Sequence, residues 1–281
     1  MPKVAVVTDS TGYIPEGLID QFRIPIAPLV VIWGDETLRD DIDIKPVEFY
    51  NRLKTAKVMP STSQPPAVDF TKIYERLYGD GYEILTILIS KALSGTIASA
   101  QQAKKELPEA TIEIFDSKTT AMAMGFQVLA AARAAAEGAS LAECLSAAEK
   151  TRANSGVFFA VDTLEFLHRG GRIGGASRYL GTALQLKPIL TIEDGKIEAL
   201  ERVRTKKKAH TRLSDIVVER LQGKSNVRLA TLHANAVEDA NELLEKTAER
   251  LDVVERIYSE VSPVIGTHVG PGTVGLAYAY D

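Results

Sequence analysis

Residues 84–107 read Ile84-Leu-Thr-Ile-Leu-Ile-Ser90-Lys-Ala-Leu-Ser94-Gly95-Thr96-Ile97-Ala-Ser-Ala-Gln-Gln-Ala-Lys-Lys-Glu-Leu107. Ile84–Ile89 is almost unbroken apolar and rich in β-branched residues, the composition of a strand buried on both faces of a parallel sheet. A polar turn, Ser94-Gly95-Thr96, follows. Ile97, Ala100, Ala103 and Leu107 then keep helical spacing until Pro108 stops the run. The order strand, turn, helix puts Ser94–Thr96 at the carboxyl edge of a sheet and at the positive end of a helix, where unpaired N–H groups and the macrodipole favour an anion. Gly95 admits a ligand close to the backbone, and the hydroxyls of Ser94 and Thr96 add donors. Ser94 as a simple helix cap fits the same residues and is the commoner use of serine at such a place.

Outward from this stretch, the first half alternates strand and helix. Val4–Val7 is a short buried strand ending in Thr8-Asp9-Ser10. Asp9 and Ser10 suit either a ligand loop or an Asx-type turn. Ile26–Trp33 followed by Gly34-Asp35 predicts a hairpin, and Arg39-Asp40-Asp41-Ile42-Asp43 reads as a solvated acidic loop, since no calcium-loop spacing follows. Pro46 opens a helix. Residues 60–66, Pro-Ser-Thr-Ser-Gln-Pro-Pro, form a rigid polar segment before a helix over 67–78. Thr111–Phe115 is another strand, Thr119–Glu137 a long Ala- and Met-rich helix, and Ser140 with Glu143 a capping box opening one more. In the second half, Asp194-Gly195 between Ile189–Ile192 and Lys196–Val203 predicts an antiparallel hairpin. Strands over 227–233, 254–261 and 274–279 and helices ending near 222 and 251 complete it. The expected fold class is α/β with two domains: residues 1–155 with a parallel sheet flanked by helices, and residues 156–281 with a mixed or antiparallel sheet and helices.

The chain has 281 residues, 45% of them apolar and 25% charged, with a net charge of −4. The negative balance argues against non-specific nucleic-acid binding. One cysteine, Cys144, excludes a disulfide within the chain and a thiolate zinc site, and fits a reducing cytoplasm. The opening residues run straight into a strand without the apolar core of a signal peptide. The most apolar helix carries Gln127 and Arg133 and is too short to span a bilayer. A cytoplasmic protein without integral membrane association is expected.

Gly270-Pro-Gly-Thr-Val-Gly275 matches the dinucleotide pattern GxGxxG, but only six residues follow Gly275 and the fingerprint needs a long helix there. These glycines read as a turn that presents His268. The four histidines lack ligand spacing, so no metal is expected. Hydroxyls and cations on loops remain: Thr62, Ser63, Ser94, Thr96, Arg172 and His268. Arg172, among four glycines, fits a carboxylate anchor or a solvated arginine after a helix end equally well. The basic run Arg202–Lys208 reads as a solvated helix start, with a docking patch for an acidic partner as the sharper alternative.

Five motifs in order carry a resemblance across nearly the whole chain. They are Thr8-Asp9-Ser10, Thr62-Ser63-Gln64-Pro65, Ile89-Ser90-Lys91-Ala92-Leu93-Ser94-Gly95-Thr96, Leu167-His168-Arg169-Gly170-Gly171-Arg172-Ile173 and Gly266-Thr267-His268-Val269-Gly270-Pro271-Gly272. Together they resemble the DegV family. The resemblance implies a long-chain fatty acid held between two α/β domains. It also implies a role as the fatty-acid-binding subunit of a fatty acid kinase, which presents the acyl carboxylate to a separate kinase subunit. No catalytic residue and no cofactor is implied. The carboxylate grip falls on Thr62 and Ser94, with His268, Arg172, Ser63, Gly95 and Thr96 in support. The acyl tail is expected among Ile and Ala residues of the first-half helices and near Met122 and Met124. From the residues alone, a stand-alone lipid hydrolase with Ser94 as nucleophile and His268 as base is the rival, and a lipid carrier without a kinase is the other alternative.

Overall fold

The computed structural model describes residues 3–181 and 186–281. The first half runs β1 (Lys3–Asp9), α1 (Glu16–Phe22), β2 (Ile26–Ala27), β3 (Val30–Trp33), β4 (Glu36–Arg39), α2 (Pro46–Leu53), β5 (Ser61–Ser63), α3 (Ala67–Gly79), β6 (Tyr82–Leu88), α4 (Thr96–Glu106), β7 (Ile112–Asp116), α5 (Ala121–Ala136) and α6 (Leu141–Ala153). The second continues with β8 (Ser155–Ala160), α7 (Glu165–Arg169), β9 (Lys187–Glu193), β10 (Lys196–Val203), α8 (Lys206–Leu221), β11 (Val227–His233), α9 (Val237–Ala248), β12 (Val253–Ile257), α10 (Pro263–Val269) and β13 (Val274–Ala279).

The first sheet has the order β2-β1-β6-β7 and is parallel throughout. Its inner strand β6 carries the apolar run that begins at Ile84: Ile84, Leu85, Ile87 and Leu88 are all fully buried. The one hydroxyl in that run, Thr86, is satisfied by Tyr74 Oη at 3.0 Å, as burial of a polar group demands. The second sheet, β10-β9-β8-β13-β11-β12, is antiparallel except for the β11–β12 pair. The α/β architecture with one parallel and one mixed sheet is therefore as the sequence predicts.

Helix α5 lies between these sheets, against β1 and β6 on one side and β8, β11 and β13 on the other. A helix enclosed on several sides needs no polar face. Its sequence, AMAMGFQVLAAARAAA, is accordingly small and apolar. One apolar cluster takes in Val6 and Leu85 from the first sheet, Val31 from β3, Met122 and Val128 from α5, and Val157, Leu190 and Ala277 from the second sheet.

Two local readings are corrected. A third sheet, β4-β3-β5, is present: the polar segment at 61–63 forms a strand antiparallel to β3, with Thr62 opposite Val31. Asp40 is not solvated but 1% exposed. It accepts from Ser10 Oγ at 2.7 Å, Ser262 Oγ at 2.6 Å and the Val264 N–H at 3.0 Å. The readings of Asp9 resolve in favour of the turn, since its carboxylate takes Thr11 N–H and Oγ1 at 2.9 and 2.6 Å and Ile89 N–H at 2.8 Å.

The halves also meet at the tip of the β9–β10 hairpin. Ser90 Oγ donates to Gly195 O at 2.8 Å. Gly195 has φ +82°, and a Cβ there would stand 2.3 Å from Ser90 Oγ. Gly223 has a comparable φ of +75° but open space around it. Gly195→Ala should therefore lower the unfolding free energy by about 1–3 kcal/mol, and by more than Gly223→Ala. Urea titrations of the two variants beside the wild type check this; equal losses would show that the hairpin tip is not held against Ser90.

Candidate functional site

Thr62 comes from β5, the strand that β3 recruits. Ser94 comes from the loop between β6 and α4. Arg172 follows α7, and His268 sits in the last turn of α10. Residues from these four places line one cavity, whose lining also includes Ser63 and Gln64. Its remaining wall is almost wholly apolar and includes Leu29, Ile89, Phe159, Ile192, Leu232 and Val264. The polar groups therefore mark one part of a greasy chamber, the usual build of a site for an amphipathic ligand.

At the centre, Thr62 Oγ1 and His268 Nε2 are 2.7 Å apart. His268 sits on a helix, and the expected glycine turn, Gly270–Gly272, follows directly after it. Pro263 occupies the first turn of α10, and Gly270 ends it with φ +75°. Burial, helped by the nearby Arg172 charge, holds the imidazole well below the usual histidine range, at about 4. It is therefore neutral at pH 7 and carries one proton. Its Nδ1 is buried with no hydrogen-bond partner. A buried donor without an acceptor costs more than an unused acceptor. The hydrogen-bond network thus assigns the proton to Nε2, which donates to Thr62 Oγ1. The Thr62 hydroxyl proton is then free to point into the cavity, where a carboxylate oxygen would accept it.

Gly170 makes this arrangement possible. A Cβ at Gly170 would lie 2.1 Å from His268 Nδ1, so the glycine beside Arg172 is the seat of the imidazole. Arg172 itself is half-buried. It donates from Nε to Leu93 O at 3.1 Å and from Nη1 to Gly170 O at 2.7 Å. It thereby ties the Ser94 loop to the end of α7 and brings a positive charge to the chamber.

Ser94 lies one position before Gly95, the N-cap of α4, whose first turn has no side-chain cap. Ser94 Oγ is 2.8 Å from Thr96 Oγ1 and accepts from Thr96 N–H at 3.3 Å. Gly95 and Gln64 are exposed neighbours, and a Cβ at Gly95 would press on the Gln64 side chain at 3.0 Å. Thr96 is fully buried and orients Ser94 rather than lining the cavity. The structure thus brings Thr62, Ser63, Ser94, Arg172 and His268 together, with Gly95 and Thr96 beneath Ser94.

Gln64, Thr120 and the strand residues of the second sheet line the chamber without having been singled out as candidates. The alanines and methionines of α5 are not among the residues that line this cavity. Met122 and Met124 are fully buried but pack against Gly125 and Gly12 instead. Among the described residues no cluster of His, Cys, Asp and Glu suits a metal, and no helix is long and apolar enough to cross a membrane.

Comparison with known proteins agrees with this build. Residues 3–281 match the family model described as "Uncharacterised protein, DegV family". The chain belongs to the DegV family. It is 36% identical to Protein DegV of Bacillus subtilis over 99% of each chain. It is also 36% identical to a DegV domain-containing protein of Clostridium perfringens, again over 99% of each. Among solved structures, a fatty-acid-binding DegV family protein of Thermus thermophilus superposes with a TM-score of 0.94 at 35% identity, covering 99% of this chain and all of that one. The crystal structure of DegV of B. subtilis, a fatty acid binding protein, superposes with a TM-score of 0.90 at 34% identity, covering both chains fully.

Two outcomes are expected in this DegV protein. Gly170→Ala should displace the imidazole and break the Thr62–His268 bond; a crystal structure with that bond intact at 2.7 Å would contradict the seat. Because the folded-state pKa of His268 lies below its ordinary 6.5, the unfolded chain binds more protons between pH 4 and 6.5, and stability from this group is lost as pH falls through that window. The stability of the wild type relative to His268→Gln should therefore decline from pH 6.5 to pH 4 in parallel denaturant titrations.

Proposed function

We propose that this protein binds a long-chain fatty acid with its carboxylate at Thr62 and Ser94 and presents that carboxylate to a separate ATP-dependent kinase subunit. The observation that carries the reading is the convergence of Thr62, Ser94, Arg172 and His268 at the polar part of one apolar chamber. The solved relatives of T. thermophilus and B. subtilis are fatty-acid-binding proteins, which supports the ligand class. In this reading residues 1–155 and 156–281 are the two domains that enclose a cytoplasmic lipid.

The energetics divide the work. About 15 methylenes at ~0.8 kcal/mol each give a gross ~12 kcal/mol, before the costs of association. A charge-assisted hydrogen bond to the headgroup adds roughly 1.5–3 kcal/mol. The tail accordingly dominates retention, while the hydroxyls fix where the carboxylate lies. Thr62 donates its hydroxyl proton, relayed into place by neutral His268. Ser94 donates from the opposite loop, and Arg172 balances the charge. A carboxylate held there, beside the exposed Gly95 and Gln64, is placed for attack on a phosphoryl donor brought by another protein.

The hydrolase reading finds less support. His268 Nε2 is engaged by Thr62, its Nδ1 faces Gly170, and the hydroxyl nearest Ser94 is Thr96. No hydrogen bond links Ser94 to His268, so the general base that would activate a serine is turned elsewhere.

Mass spectrometry of a solvent extract of the purified protein should find fatty acid at close to one per chain. Ser94→Ala should retain most of it yet lose most acyl-phosphate formation with a kinase subunit. A folded but empty Ser94→Ala protein, or nitrophenyl-ester hydrolysis by the wild type that Ser94→Ala abolishes, would overturn the assignment.

A further inference from the structure

Asp40 stands outside the chamber, yet its hydrogen bonds reach two of the chamber's walls. Ser262 is the N-cap of α10, but its hydroxyl makes no capping bond to its own helix. It donates instead to Asp40 Oδ2 at 2.6 Å, while Asp40 Oδ1 accepts the Val264 N–H of the first turn at 3.0 Å. The cap of α10 is thus supplied by a carboxylate 222 positions upstream. That helix contributes Val264, Ile265, His268 and Val269 to the chamber. On its other side, Asp40 accepts from Ser10 Oγ at 2.7 Å, and Ser10 Oγ accepts from the N–H of Leu29, another lining residue, at 3.1 Å.

The direction of these bonds defines the charge state that fits. Ser10 Oγ spends its proton on Asp40 and its lone pair on Leu29 N–H. With Asp40 ionised, Ser262 Oγ spends its proton on Asp40, and Tyr13 Oη, 3.2 Å away, is then the donor to Ser262. Both hydroxyls and the Val264 N–H thus point at the Asp40 carboxylate, while the Asp40 backbone N–H donates to Leu29 O at 2.8 Å. An ionised carboxylate satisfies that pattern with all three donors aimed at it, whereas a protonated one must turn a serine hydroxyl away, with Ser262 Oγ then accepting from Asp40 and passing its own proton toward Tyr13 Oη.

We propose that ionised Asp40 is the positioning residue of the carboxylate grip: by capping α10 from outside it holds His268 against Thr62, so that ligand retention depends on Asp40 remaining unprotonated. This rests on the fatty-acid reading for its ligand, but the coupling of Asp40 to His268 stands on the hydrogen bonds alone.

The surroundings make that state sensitive to pH near neutrality. Burial pushes the Asp40 carboxyl up to about 7, against the pull of its bonds from Ser262, Ser10 and Val264, and the neighbouring Asp41 charge adds to the rise. The titratable groups facing it are Tyr13 from the turn after β1, Tyr50 from α2 and Asp41 from its own segment, with Glu260 acting on Tyr50 and Asp41. None is a cation, and the nearby Lys45 pairs with Asp41 at 3.3 Å. The sign is distinctive. A folded-state pKa raised above 3.8 means that the folded chain binds more protons up to about pH 7, so protonation of Asp40 favours the fold while loosening the grip.

The test uses cis-parinaric acid, a fluorescent eighteen-carbon fatty acid, titrated into delipidated wild type, Asp40→Asn and Ser262→Ala from pH 5.5 to 8.5. The ligand's own titration is common to all three proteins. Relative to Asp40→Asn, wild-type affinity should fall about tenfold between pH 8 and pH 6, the scale of one lost charge-assisted bond. Asp40→Asn should hold the weak, acid-form value throughout. Ser262→Ala removes one donor and should move the wild-type midpoint to higher pH. In parallel, the His268 ring resonance, assigned by its loss in His268→Gln, should shift near pH 7 in ligand-free wild type and not in Asp40→Asn. Identical pH profiles in all three proteins, or a His268 resonance that ignores Asp40→Asn, would overturn the proposal. A wild type that takes up no parinaric acid would refute the fatty-acid reading instead, and the His268 resonance would then decide the role of Asp40 by itself.

Discussion

The hydrogen bond between Thr62 Oγ1 and His268 Nε2 joins side chains 206 positions apart, and most of the site is a set of conditions for making it. β5 has to pair with β3 to bring Thr62 inward. Helix α10 has to start where Asp40 and Ser262 meet. Residue 170 has to lack a Cβ so that the imidazole can sit against the end of α7. The ring must also stay neutral, which burial beside Arg172 ensures. The grip is thus a property of the assembled tertiary structure and of no single motif.

Much of the frame was legible because its signals are local. The run Ile84–Ile89, the capping box at Ser140 and Glu143 and the Asp194-Gly195 turn each carry their own instruction, and β6, α6 and the β9–β10 hairpin follow them. What stayed hidden depends on distant partners. Ser61–Ser63 shows no strand alternation and becomes one only through its register with β3. Asp40 sits in an acidic run that looks solvated until donors 30 and 222 positions away close around it. Helix α10 did leave a trace, in Ser262-Pro263 at its start and Gly270 at its end, but Gly266 within it and the glycines that follow it masked it. Gly266 is small for a reason outside the helix, since a Cβ there would strike the Tyr50 hydroxyl.

The candidate residues were legible as types, hydroxyls and cations on loops, and their convergence required the fold. Helix α5 keeps out of the cavity lining for a physical reason. The alanines and methionines of α5 are apolar enough to face a ligand, but the helix lies between two sheets and those side chains are consumed in packing them together. The chamber opens instead where β8, β9, β10 and β11 turn Phe159, Ile192, Ile197 and Leu232 toward the Ser94 loop.

The order of strands in the second sheet bears on how the molecule is made. β13, residues 274–279, is an inner strand, flanked by β8 on one side and β11 on the other. During synthesis the parallel sheet can assemble as soon as β7 has left the ribosome, because all its members lie upstream. The mixed sheet has no such freedom: its two wings remain unjoined, with pairing edges open to a chaperone or to another nascent chain, until the last inner strand is available to bridge them. His268 lies only six residues before that strand, so the imidazole is set in place together with the closing of the sheet.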